Sequence, residues 1–345
     1  MALRLDPADE YMHELGPESN FNESMYINCF DPEQQIGGWF RIGNRANEGY
    51  AEMTICLYLP DGRVGFMFKR PKIDNNDAFD AGGLTWTMVK PFEELRIDYT
   101  GKVVVLDEPL QMADPKTAFA NNPYEECEVH LSFAGQGKPS MFGGEPDVSH
   151  ETPGEEFAKG HYEQLIEASG TIRVGSQEWA ITGCGLRDHS WGPRYWQAPW
   201  YYRWLTANFG RDTGFMLSRV AKKDGPGTRG GFVWQDGQMH YCDHAEISTE
   251  FGGEGTYHQK INAVLKSSRS EREWSISGEV MNLIPLRNRR QDPDGNWLVT
   301  RISEGMTRWT LSDGQAGGGH ETAVGYGLSE YLDQIIDDQP VGIAE

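Results

Sequence analysis

The sequence predicts an all-β protein. Short runs rich in aromatic and β-branched residues recur along the chain. Clusters of Gly, Pro, Asn and Asp punctuate them as turns. Between the turns the apolar residues do not keep a helical period.

The elements follow in order. The first twenty residues read as a short helix or arm leading into Asn20-Phe-Asn-Glu-Ser24. Strands are predicted at 24–30, 36–42, 50–59 and 64–69, separated by turns at Asp31-Pro32, Asn44 to Asn47 and Pro60-Asp-Gly-Arg63. This is an antiparallel meander. Strands 84–90, 95–99 and 103–106 extend it, the last two joined through Thr100-Gly101, and 127–133 adds one more. Residues 134–160 are rich in Gly, Pro, Ser and Glu and lack a period, which reads as an inter-domain linker or a pocket loop. A hairpin follows, 161–174 and 178–187, turning at Gly175-Ser176. Later strands are predicted at 200–209, 214–220, 231–234, 238–249, 257–266, 273–285, 297–303 and 308–311. Asp292-Pro-Asp-Gly295 is a hairpin turn. A last strand, 325–330, is expected to run into a short helix over 331–336.

Composition narrows the function. A chain of 345 residues makes one large or two medium domains, each able to bury a core. The net charge of −21 excludes a basic nucleic-acid footprint. It also opposes adsorption to anionic lipid. With no apolar run of spanning length, no stable membrane insertion is expected. The acidic N-terminus lacks an apolar signal core, and the five scattered cysteines form no Cys-x-x-Cys pair. Reduced thiols and a cytoplasmic location are expected.

Chemistry concentrates between Gly183 and Leu205. This stretch holds Asp188, His189, three arginines and seven aromatic residues, including four of the eleven tryptophans. That mixture suits a pocket for a hydrophobic ligand with ionisable groups to act on it. Residues 178–191 look extended. Alternation then puts His189 and Trp191 on one face, with Asp188 and Ser190 on the other. Gly192-Pro193 ends the strand. From 200 to 209, Trp200, Tyr202 and Trp204 share a face, and Tyr201 and Arg203 oppose them. Two such strands side by side would set His189 and Trp191 against an aromatic wall.

Leu186-Arg-Asp-His-Ser-Trp-Gly-Pro-Arg194 resembles the signature of the carotenoid 1,2-hydratase/AttH-like superfamily, which includes kievitone hydratase. His161-Tyr-Glu-Gln164 and Gly325-Tyr-Gly-Leu-Ser-Glu330 fit the same layout. The resemblance implies two lipocalin-like antiparallel β-barrels in tandem: an N-terminal domain over 1–133, a linker or pocket loop over 134–160, and a C-terminal domain over 161–345. It also implies catalytic roles for His189 and Trp191. The family's Tyr-x-Asp pair on a later strand is not found at the expected distance, where Gly214, Phe215 and Met216 stand.

The candidate catalytic residues are therefore His189, Asp188 and Tyr202. Asp188 is either catalytic or a structural partner of Arg187 or Arg194. Tyr195, Tyr201 and Tyr202 can each donate a proton or cap a barrel end. Trp191, Arg194, Tyr195, Trp196, Trp200, Trp204, Glu304 and Glu330 are the substrate-binding candidates. Each glutamate is either a buried acid of raised pKa or an ion-pair partner of Arg301, Arg308 or Arg194. Asn22-Glu-Ser24 reads as a turn or a polar patch at a barrel mouth. His240 and His244 would lie roughly 13 Å apart on a strand, too far to share an ion. No nucleotide motif or nucleophile elbow occurs, and neither cofactor nor metal is expected. Together these features predict an acid/base hydratase, dehydratase, isomerase or cyclase acting on a hydrophobic unsaturated small molecule, such as a terpenoid or phenolic. The alternative is a non-catalytic carrier or sensor of a lipophilic ligand. A homodimer is compatible with either.

Overall fold

The computed structural model describes residues 5–135, 141–143, 160–225, 227–292, 294–313 and 322–344. Most of the expected linker over 134–160 lies outside the described residues. The chain forms two compact units: Met1–Glu108 with Ala118–Tyr195, and Pro109–Thr117 with Trp196–Glu345.

The first unit contains β1 (Phe21–Asp31), β2 (Ile36–Arg45), β3 (Tyr50–Tyr58), β4 (Val64–Lys69), β5 (Asp80–Ala81), β6 (Leu84–Lys90), β7 (Glu94–Leu106), β8 (Tyr124–Gly135), β9 (Met141–Gly143), β10 (Gly160–Val174) and β11 (Gln177–Pro193). All strand pairs are antiparallel. The order β4-β3-β2-β1-β11-β10-β8-β7 closes on itself because β4 also pairs with β7. Closure leaves no free edge along this ring, the device by which lipocalin-like barrels satisfy their backbone groups.

The barrel forms because alternate residues are apolar. On β1, Met25, Ile27 and Cys29 enter the core, where they meet Phe40 and Ile42 of β2 and Ile55 and Leu57 of β3. Each such aliphatic side chain contributes roughly 1.5–3 kcal/mol on burial. The other face of β1, with Asn22, Ser24, Tyr26 and Asn28, is buried as well. Glycines on β11 permit the close packing. A Cβ on Gly183 would collide with the carbonyl of Phe30, and one on Gly185 with that of Asn28.

The second unit contains β12 (Tyr201–Asn208), β13 (Gly214–Ala221), β14 (Thr228–Gln235), β15 (Gln238–Cys242), β16 (His244–Gly252), β17 (Tyr257–Ser267), β18 (Arg272–Gln291), β19 (Trp297–Asp313), β20 (Thr322–Ile336) and β21 (Gln339–Pro340). Its main order is β15-β14-β13-β12-β20-β19-β18-β17-β16, and the sheet curls so that β14 meets β16 and β15 meets β17. Leu205, Phe215, Leu217, Trp274, Trp309 and Tyr331 fill it.

Several expectations need correction. The hairpin β10–β11, assigned from sequence to the C-terminal domain, completes the first barrel. β11 pairs with β1 from Phe21↔Pro193 to Phe30↔Cys184. The sequence shows a composition break near 134–160, but strand pairing across a long separation decides membership. Thr100-Gly101 is not a turn: both residues pair with β8 inside one continuous β7. The expected strands 297–303 and 308–311 are likewise one strand, whereas 238–249 divides at Asp243, whose carboxylate binds Ser268. Residues 331–336 are strand, not helix. There Tyr331 packs into the core and Asp333 binds Arg203, so tertiary pairing overrides local propensity. All five cysteines are free thiols. No helix among the described residues is long and apolar enough to cross a membrane.

Replacing Gly185 by alanine tests the β1–β11 contact. The added methyl meets backbone, which cannot rotate away, so a loss of about 1–3 kcal/mol and a lowered melting temperature are expected. An unchanged thermal melt would show that the strands separate without cost.

Candidate functional site

Strand β11 carries the site, and its twofold alternation divides the charged residues between two faces. Arg187, His189 and Trp191 lie on the face that turns into the first barrel; Asp188 and Ser190 lie on the other. The register sets His189 beside Met25 of β1 and Tyr162 of β10, and pairs Trp191 with Glu23.

His189 is fully buried. Its Nε2 lies 2.6 Å from Glu23 Oε1. The same oxygen is 3.0 Å from Nδ1 of His13, while the backbone N–H of His13 donates to Glu23 Oε2 at 3.1 Å. Burial pushes the Glu23 carboxyl up, but the two imidazole hydrogen bonds and charges outweigh it and hold it at about 2. Aromatic rings enclose the cluster. His13 stacks on Trp191 at 3.8 Å, and Phe79, Tyr162 and Trp191 lie 5.2–5.6 Å from the His189 ring. The partner of His189 is thus a buried carboxylate.

Arg187 anchors the N-terminal segment beside this cluster. Its Nη1 donates to both oxygens of Glu10, at 2.8 and 3.0 Å, and its Nε to Gln164 at 2.8 Å. The Phe92 N–H and the Tyr162 hydroxyl also donate to Glu10. Burial raises the Tyr162 phenol well above its ordinary value, so it stays a neutral donor.

On the opposite face, Asp188 pairs with His161 rather than with Arg187. Glu163 lies directly across from Asp188 on β10, 3.5 Å from His161 Nε2. Arg194 donates to Ser190 at 2.8 Å. Burial works against the His161 cation, but the charge and hydrogen bond of Asp188, then Glu163, push it up to about 10. The ring is 38% exposed, so water screens part of that gain. Burial raises the Asp188 carboxyl, and the charge and hydrogen bond of His161, followed by the charge of Arg194, hold it below the usual carboxylate range.

Trp200, Tyr202 and Trp204, the residues of the expected aromatic wall, belong to the second unit. Tyr202 and Trp204 share one face of β12, as alternation predicts. Trp204 pairs with Glu330, and Glu330 with Glu304, so the three form a row across β12, β20 and β19. Both glutamates are buried. Arg301, one expected partner, instead donates to the carbonyls of Gly255 and Thr256. Trp200 precedes β12, with Lys223 over its ring, and the Trp196 carbonyl accepts from Gln334. Tyr195 closes the first unit and is half-buried. His240 and His244 do not converge: His240 packs against Trp274, and His244 contacts Glu246.

Two donor groups of metal-ligating type do converge among the described residues, His13–Glu23–His189 and His161–Glu163–Asp188. The second joins His161 and Glu163 of β10 to Asp188 across the β10–β11 hairpin; the first draws on three segments remote in sequence and has no local motif. Glu10, His13 and Glu23 were missed as partners for this reason. The one local signal was a glutamate between two polar residues at the start of an otherwise apolar strand.

The architecture is that of the tandem lipocalin-like, AttH-like proteins. The chain belongs to the family described as Domain of unknown function (DUF7064), whose model matches residues 6–334. The solved structure of CghA with Sch210972 superposes with a TM-score of 0.60 at 12% identity, covering 96% of each chain. Kievitone hydratase from Nectria haematococca gives 0.57 at 9% identity, covering 90% of this chain and 89% of that one. An AttH-type protein from Nitrosomonas europaea gives 0.54 at 13% identity, covering 94% and 95%. At these identities the likeness concerns the fold. No curated protein sequence matches the chain.

The charge pairs predict opposite pH limbs. Glu23 is held at about 2 against an ordinary 4.5. Its contribution, on the order of 3 kcal/mol, is therefore present above about pH 4.5 and lost as pH falls towards 2. His161 is raised from 6.5 to about 10, so its contribution is full below 6.5 and lost as pH rises through 10. Denaturant unfolding across pH should show Glu23→Gln flattening the acid limb and His161→Gln the basic limb. Parallel profiles for wild type and variants would remove both assignments.

Proposed function

We propose that the protein is an acid/base enzyme acting on a hydrophobic, unsaturated small molecule, adding or removing water or shifting a double bond. The carrying observation is the Asp188–His161–Glu163 group. It joins an imidazole cation to two carboxylates on the face of β11 that is not sealed inside the barrel, and His161 is partly exposed. A substrate would approach it at His161, its most exposed member. His189, notwithstanding its place in the sequence motif, is enclosed, and its role in this reading is to fix the strand from the inner face.

The strength of the acid narrows the substrate. His161, pushed up to about 10, is a weak acid and does not protonate an isolated alkene readily. It matches the oxygen of an enolate or phenolate, which favours a conjugated carbonyl or phenolic substrate. In the hydration direction, a carboxylate of Asp188 or Glu163 accepts a proton from the attacking water. His161 gives one to the developing enolate, and Arg194 beside Ser190 supplies fixed positive charge. The reverse sequence removes water, and proton transfer alone shifts the double bond. The electron count is unchanged throughout, so the step needs no oxidant or reductant. The name of kievitone hydratase, a structural neighbour, is consistent with this class.

The test is mass spectrometry of small molecules that co-purify with wild type, Asp188→Asn and His161→Ala. The variants are expected to accumulate substrate, and wild type to hold product or little ligand. With the ligand identified, each substitution should lower turnover by ~10²–10⁴-fold while leaving the fold intact. Identical ligand profiles in all three would instead assign a carrier of a lipophilic ligand.

A further inference from the structure

We propose that His13, Glu23 and His189 form a binding site for a divalent transition metal. The site uses the barrel-side face of β11, so it does not rest on the acid/base reading of the Asp188 face.

Three observations lead to it. His13 Nδ1, Glu23 Oε1 and His189 Nε2 all lie within 4.8 Å of one another, with both nitrogens directed at one carboxylate oxygen, at 3.0 and 2.6 Å. Donors around a tetrahedral ion with bonds of about 2.0–2.2 Å sit roughly 3.3 Å apart. A small outward movement of the side chains would therefore admit one. Two imidazoles and one carboxylate are the ligand set of zinc and non-haem iron, not of calcium or magnesium.

The surroundings orient the donors as a metal site requires. Asp9 Oδ1 lies 3.5 Å from the far nitrogen of His13, near enough to attract the ring's charge but not hydrogen-bonded to it. Glu23 Oε2 is occupied by the His13 backbone N–H, which turns Oε1 towards the two imidazoles. Phe79, Tyr162 and Trp191 hold the His189 ring, whose Nδ1 is buried without a hydrogen-bond partner among the described residues. The fixed contact of that ring is therefore through Nε2. His13, 20% exposed, is the member of the cluster that reaches solvent. Three protein ligands leave a coordination position for water or another small ligand.

Sequence spacing hides this site. His13 comes from the N-terminal segment, Glu23 from β1 and His189 from β11, and only the barrel brings them together.

The test is equilibrium dialysis of chelator-treated full-length protein against zinc(II), with metal analysis, and against cobalt(II), with its visible absorption as a probe of ligand geometry. Wild type is expected to take up one ion per chain and to melt at a higher temperature with zinc present. His13→Ala, whose side chain is partly exposed, should fold yet lose both the ion and the melting shift. Glu23→Gln should bind no ion, and the melt without metal reports separately whether it folds. His161→Ala, which alters the other donor group, should bind as wild type does. Failure of wild type to bind stoichiometrically, retention of the ion in His13→Ala, or its loss in His161→Ala would each overturn the assignment.

Discussion

A largely buried strand cannot carry unpaired charge, and β11 carries three ionisable side chains in succession, Arg187, Asp188 and His189. Transfer of an isolated charge into such surroundings costs several kcal/mol, so each group must acquire a partner. Arg187 takes Glu10, Asp188 takes His161, and His189 takes Glu23. Alternation keeps the pairs apart: Arg187 and His189 are satisfied inside the barrel, Asp188 on the outer face. The site chemistry follows from this pairing requirement.

The same requirement explains the path of the N-terminal segment. It has little regular structure beyond a 3₁₀ turn at Pro7–Glu10, whose start is capped by Asp6. Its position comes from Glu10, held by Arg187, Tyr162 and Phe92, and from His13, held by Glu23 and stacked on Trp191. Breaking a buried pair such as Arg187–Glu10 leaves a charge stranded, at a cost of about 3–5 kcal/mol. The segment is thus part of the first barrel's interior chemistry.

The second unit applies the rule in another form. Arg203 forms a bidentate pair with Asp333, sandwiched between Tyr201 and Tyr331. Nearby, His258 has no carboxylate partner among the described residues. Burial and the charge of Arg203 push its pKa down to about 3, so it stays neutral, stacks on Tyr331 and shares a hydrogen bond with Ser329. A buried imidazole can be tolerated by pairing it, as with His189 and His161, or by keeping it uncharged, as here.

The β class was legible in the sequence because strand periodicity and turn residues are local. Alternation alone placed His189 with Trp191 and opposed both to Asp188, and the motif with its glycines marked β11 as the strand that matters. The sequence could not show which strands close a barrel, since β1 and β11 are far apart in the chain and pair through backbone groups common to every residue. Hence β10 and β11 fell on the wrong side of the expected boundary, and Tyr202 and Trp204 were set against a histidine in another unit. The partners of the charged residues were hidden for the same reason. Glu10, His13 and Glu23 become ligands of Arg187 and His189 only when burial removes water as the competing partner. That step belongs to the tertiary structure, because desolvation acts on neighbours in space and not on neighbours in sequence.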